Sequence, residues 1–167
     1  MKHYPPPQLR ERRPPPPRIP LFHAVPGRTR ADGWTPRRQA LFIGYLAETR
    51  SVAEAARRVS MARETAYRLR RREGAEGFNR AWDAALGKAA PHGDSERSQA
   101  GETRSRKVTN ALLAWRMETG LWHVRMYRGR FVGVWQKPDI ASLFQLLARM
   151  DRADGRARRP GRDGEAA

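Results

Sequence analysis

Nine of the thirteen prolines in this 167-residue chain fall within its first 33 residues, including the runs Pro5-Pro6-Pro7 and Pro14-Pro15-Pro16-Pro17. Consecutive prolines hold the backbone in extended polyproline II and offer no N–H to a helix or a ladder, so they cannot build a core. The same stretch carries seven basic side chains against two acidic ones. Residues 1–33 are therefore expected to form a disordered Pro/Arg-rich arm. Such an arm keeps the chain in solution, tracks phosphates or a minor groove, or serves as a Pro-rich ligand for a partner domain. The folded part is expected to begin at Trp34.

From there the pattern is helical. Thr35-Pro36 offers a side-chain oxygen cap followed by proline at the first helical position. Leu41, Phe42, Tyr45 and Leu46 then line one face, up to about Arg50. Ser51 and Glu54 have capping-box spacing and open a short Ala-rich helix over 52–58. A break near Val59-Ser60-Met61 precedes a third helix over 62–72. Phe78, Ala81, Trp82, Ala85 and Leu86 give a fourth helix its apolar stripe. Residues 88–104 are small, polar and aperiodic, which reads as a linker.

A second unit is expected over 105–150, in the order helix, β-hairpin, helix. Val108, Ala111, Leu112 and Trp115 mark its first helix, closed by Gly120. Alternation over 121–136 around Arg128-Gly129 predicts a hairpin. With those two residues as the turn, Trp122 faces Trp135, Val124 faces Gly133 and Met126 faces Phe131. Pro138-Asp139 caps a last helix with Ile140, Leu143, Phe144 and Leu147 inward. Residues 151–167 read as a disordered basic tail. The fold class is mainly α, with a four-helix N-terminal head and a small α+β C-terminal unit expected to dimerise or bind a partner.

Composition narrows the function classes. The formal net charge is +17 and the pI about 11.6. That is the electrostatic footprint of a polyanion binder, although the excess is spread along the whole chain. Cysteine is absent, which removes disulfides and thiol ligands. No two of His3, His23, His92 and His123 have metal-ligand spacing, and no metal or cofactor is expected. Neither a phosphate loop nor a nucleophile elbow is present, and no enzymatic activity is expected. No apolar run suggests a membrane span or a secretory leader, so a cytoplasmic, nucleoid-associated protein is expected.

The segment Val52–Arg71 carries the most specific signal. Ala55 and Ala56 let a first short helix approach a second, Val59 and Met61 bracket the turn, and Ala66 and Leu69 face back from the second helix. This spacing resembles the homeodomain-like helix-turn-helix of small bacterial regulators, phage terminase small subunits and transposase heads. Two positions depart from it. Ser60 stands where that pattern uses glycine for a positive φ, and Ala62 replaces an oxygen-bearing cap. The resemblance implies binding of double-stranded DNA, with the second helix in the major groove, by a homodimer or higher homo-oligomer. At 100° per residue, Arg63, Glu64, Tyr67, Arg68 and Arg71 fall on or beside the outer face and are the candidate base contacts. Arg37, Arg38, Arg57, Arg58, Arg70 and Arg72 are candidate phosphate contacts. Transcriptional regulation is the leading expectation. Alternatives are a terminase-like packaging recogniser and a basic RNA-associated or interaction module. Arg125, Arg128 and Arg130 cluster at the expected hairpin tip, where a plain exposed turn is favoured over a DNA-contacting wing.

Overall fold

The computed structural model describes residues 18–27, 30–88 and 108–157. In chain order the elements are β1 (Phe22–His23), α1 (Pro36–Thr49), α2 (Val52–Arg58), α3 (Arg63–Arg70), α4 (Glu76–Ala85), α5 (Asn110–Thr119), β2 (Leu121–Tyr127), β3 (Arg130–Lys137) and α6 (Ile140–Ala157). The fold is mostly helical, with one small antiparallel sheet in the order β1-β2-β3.

The helix starts follow from their caps. Thr35 Oγ1 accepts from Arg38 N at 3.2 Å, with Pro36 next to it at the first helical position. Ser51 Oγ accepts from Glu54 N at 3.3 Å. Only this half of the capping box forms. Ser51 N donates to Thr49 Oγ1 instead, and the Glu54 carboxylate turns to Arg57 and Arg58. Thr109 Oγ1 caps α5 through Leu112 N, and Asp139 Oδ1 caps α6 through Ser142 N.

The core gathers side chains from α1–α4, the N-terminal segment and the sheet. Phe42, Phe78 and Trp82 sit at its centre, with Phe42 and Trp82 ring centroids 4.8 Å apart. Gly44 of α1 meets the sheet at close range. A Cβ there would lie 2.3 Å from Phe131 Cε2, so only glycine admits this approach. Phe131 also packs edge-on against Tyr45, centroids 4.9 Å apart.

Several expectations are corrected. The arm does not run to residue 33: Ile19, Phe22, Ala24 and Val25 are buried, and Phe22 pairs with Trp122 across the sheet. Single prolines at 20 and 26 flank an apolar stretch, unlike the runs at 5–7 and 14–17. Residues 1–17 lie outside the described residues, as does nearly all of the expected linker over 88–104. The C-terminal unit is not separate either. Trp122 and Val124 belong to the same core as α1–α4, and Met126, Phe131 and Val134 pack against it.

The hairpin register also differs. Arg128-Gly129 forms the turn and Met126 pairs with Phe131. A bulge between Arg125 and Met126 then shifts every later pair by one, giving Arg125↔Gly133, Val124↔Val134, His123↔Trp135 and Trp122↔Gln136. Because side chains alternate, that single extra residue turns Trp135 away from the core. Finally, α6 continues to Ala157, past the expected tail boundary at 151, and Ile140, Phe144 and Leu147 face out, with Leu143 half-buried. In α5 Leu113 and Thr119 are buried, Leu112 and Trp115 are half-buried, and Ala111 is exposed. Residues 158–167 lie outside the described residues.

One side-chain hydrogen bond ties the N-terminal strand to the last helix. His23 Nε2 donates to Asp139 Oδ2 at 2.7 Å, joining β1 to the cap of α6. Burial pushes the His23 pKa below its ordinary 6.5, helped by Arg116 and Arg80 and opposed by Asp139. Burial alone would raise the Asp139 carboxyl, but the Ser142 and His23 hydrogen bonds more than offset it and its pKa falls. Both shifts have one sign: the unfolded chain binds more protons on acidification, so stability is lost as the pH falls. Stability should be flat above about pH 7 and decline first below His23's unfolded pKa of about 6.5. Urea midpoints measured across pH check this, and in His23→Gln the decline between about pH 7 and 5 should flatten.

Candidate nucleic-acid interface

The segment from α2 through α3 is built from small contacts. Ala55, Ala56, Val59, Ala66 and Leu69 are buried and Met61 is half-buried. The connection is closed by its own backbone: Ser60 N donates to Arg57 O at 3.0 Å and Met61 N to Ala56 O at 2.9 Å. Ser60 takes φ +57°, in the left-handed region. An L side chain held there costs about 1–2 kcal/mol, part of which glycine returns as unfolded-chain entropy. Ser60→Gly should therefore raise stability by about 0.5–1 kcal/mol, read from the denaturation midpoint.

No side chain caps α3 at Ala62. The tie comes from outside: Trp34 Nε1 donates to Thr65 Oγ1 at 3.1 Å, and Thr65 Oγ1 donates to Ala62 O at 2.6 Å. The other flank of α3 leans on α4. Arg70 Nη2 bonds both oxygens of Asp83 at 2.8 and 2.9 Å, and its guanidinium lies 5.3 Å from the Trp82 ring centroid. The Tyr67 ring sits 5.7 Å from the same indole. The sequence pattern alone does not disclose these supports, because they join positions 12 to 31 residues apart.

Of the candidate base contacts, Arg63, Glu64, Tyr67, Arg68 and Arg71 are all exposed. Arg63 Nε lies 3.4 Å from Glu64 Oε1, while Arg68 and Arg71 form no ion pair among the described residues. Helix α3 ends at Arg70, so Arg71 and Arg72 sit at its C-terminal cap rather than within it.

The candidate phosphate contacts divide. Arg37 is exposed. Arg38 is turned inward: its Nη1 donates to Ala31 O at 3.2 Å and Gly33 O at 2.5 Å, holding the segment before α1. Arg57 and Arg58 both clamp Glu54, with Arg57 Nη2 at 2.8 Å and Arg58 Nε at 3.0 Å from Oε1. The hydrogen bonds from Arg57, then Arg58, hold the Glu54 pKa down at about 2. Arg70 is committed to Asp83, and Arg72 approaches Gly27. Arg37, Arg38 and Arg58 nonetheless surround one open hollow with Thr35, Tyr45 and Ser60.

Gln39 is a residue that periodicity passes over. It is fully buried in the apolar face of α1 and bonds Val25 N at 2.8 Å, Val25 O at 3.1 Å and Trp34 O at 3.1 Å. The available signal was a polar side chain at a core position, three and four residues before Phe42 and Ile43. Among the described residues no group of His, Cys, Asp and Glu could hold a metal ion, and no helix is long and apolar enough to cross a membrane. No family model matches the chain, and no curated protein or solved structure matches it. The reading of the surface therefore rests on its own residues.

Proposed function

We propose that this protein binds double-stranded DNA sequence-specifically through a helix-turn-helix formed by α2 and α3 within an α1–α4 head, and that it acts in transcriptional regulation. One observation carries the reading: α3 buries Ala66 and Leu69 and turns Arg68 outward beside Glu64 and Tyr67, with Arg71 exposed at its C-terminal cap, neither arginine forming an ion pair among the described residues. A major-groove helix needs that combination of a braced back and long hydrogen-bonding side chains in front. Arg37 and the arginines around the hollow by Ser60 serve as phosphate contacts, with Arg57 and Arg58 shared between Glu54 and the backbone.

A second copy belongs to this reading. Ile140, Phe144, Leu147 and Met150 form an exposed stripe on α6. The charged side chain within 140–150 is Arg149, and it is bonded inward to Val108 O and Asn110 Oδ1. Four such side chains present on the order of 400 Å² of apolar surface, a size that marks an interaction site. An uncharged face on a strongly basic chain suits another copy of that chain better than a polyanion. Light scattering should give a dimer, and a larger ring would favour a packaging role.

Substitutions on duplex DNA test the assignment. Arg68→Ala and Arg71→Ala should each cost about 1–3 kcal/mol on the selected site and relax preference at one base pair. Arg37→Ala should weaken all sequences alike and lower the salt slope by about one. Identical behaviour of the three variants would contradict the division into base and phosphate contacts.

A further inference from the structure

The hairpin has a second face that duplex binding through α3 does not use. The bulge next to Met126 places Trp135 on the outer side of the sheet, in register with His123. Tyr127 lies on the same side, and the two rings are 64% and 63% exposed, Tyr127 first. They are four residues apart in strand register, which is about 13 Å along the sheet. Between them sits Arg125, paired with Gly133. Among the described residues a Cβ at Gly133 would meet nothing within 4 Å, so they leave the floor between the rings open. Arg128 lies 5.4 Å from the Tyr127 ring centroid. Between Leu121 and Lys137 there are four basic side chains and no acidic one.

We propose that this outer face is a stacking platform for single-stranded nucleic acid. Exposed aromatic rings on a sheet offer π-faces to unpaired bases, and guanidinium groups between and beside them meet the phosphates. Trp135 and Tyr127 stack bases, Gly133 admits the backbone, and Arg125 and Arg128 hold the charge. A duplex cannot use the rings, because its bases are already stacked. The absence of any carboxylate in the hairpin favours a polyanion over a protein partner.

Anisotropy of labelled twelve-residue oligo-dT and oligo-U, titrated with the full chain at fixed salt, tests this, with a duplex of selected sequence as control. Trp135→Ala and Tyr127→Ala should each weaken single-strand binding by roughly 5- to 150-fold and leave duplex affinity unchanged. Gly133→Glu should remove single-strand binding without unfolding the chain, since its side chain enters open space. A tenfold preference for either oligomer assigns the platform to that polymer. Unchanged single-strand affinity in Trp135→Ala overturns the proposal. So does an equal fall in duplex and single-strand affinity, or light scattering in which Trp135→Ala merely splits an oligomer. Loss of duplex binding alone, in Arg68→Ala, leaves the platform standing and bears only on α3.

Discussion

Trp82→Ala should lower stability by about 3–5 kcal/mol, the usual cost of emptying a large aromatic site in a core. Trp82 is 1% exposed and meets Phe42 and Phe78 at centroid distances of 4.8 and 5.8 Å. Its effect reaches beyond the core, because Tyr67 and Arg70 of α3 both lean on the indole. Removing it takes away the back support of the proposed recognition helix as well as buried area. Guanidinium denaturation should show the loss in midpoint, with duplex affinity falling even where the chain is still folded. Trp82→Phe separates the two effects. It should recover much of the stability and less of the affinity, since a smaller ring leaves the Arg70 guanidinium without its partner face.

Gln39→Leu should cost about 3 kcal/mol or more although it exchanges a polar core residue for an apolar one of similar size. The amide satisfies Val25 N, Val25 O and Trp34 O, all beneath the N-terminal segment. Leucine leaves those buried backbone groups unpaired, at about 1–3 kcal/mol each where water cannot reach them. The segment carrying Phe22 and Val25 should then detach locally before the rest unfolds. Hydrogen exchange should show faster exchange at Val25 and at the β1–β2 pairing, with the amides of α1 less affected. Unchanged exchange at Val25 would show that the clamp is not what holds the segment.

The two substitutions mark the boundary of what was legible in the sequence. The caps at Thr35, Ser51 and Asp139 were readable because each joins a side chain to a backbone N–H three residues on. The outward set on α3 was readable for the same reason, helical periodicity being local. The N-terminal segment was not, because its order depends on partners far along the chain: Gln39, Trp122, and Asp139 at a separation of 116 residues. Averaging proline content over 33 residues hid an apolar stretch behind the polyproline runs. The hairpin shows a different limit. Turn and first pair were readable from Arg128-Gly129, but nothing local marks the bulge. The Met126–Phe131 pair is the same in either register, and the bulge shows only in which later residue meets the core: Val134 packs against it and Trp135 is exposed. Likewise, periodicity located the apolar residues of α6 without telling which of them face this chain and which face out.

Arginine geometry was the least legible part of the candidate site. A helical wheel treats Arg38, Arg70 and Arg37 alike. In the fold, Arg38 holds backbone carbonyls and Arg70 holds Asp83, while Arg37 is exposed. These differences depend on which acidic or carbonyl groups tertiary packing brings near, and residue type alone does not encode them.

The most direct measurement is selection of binding sites from random duplex DNA with the full chain, followed by affinity across a salt series. An enriched motif with two-fold symmetry is expected, lost in Arg68→Ala, over a linear dependence of log affinity on log salt. Recovery of no motif, with steep salt dependence alone, would mean that the arginines attract phosphate without reading bases, and would contradict recognition through α3.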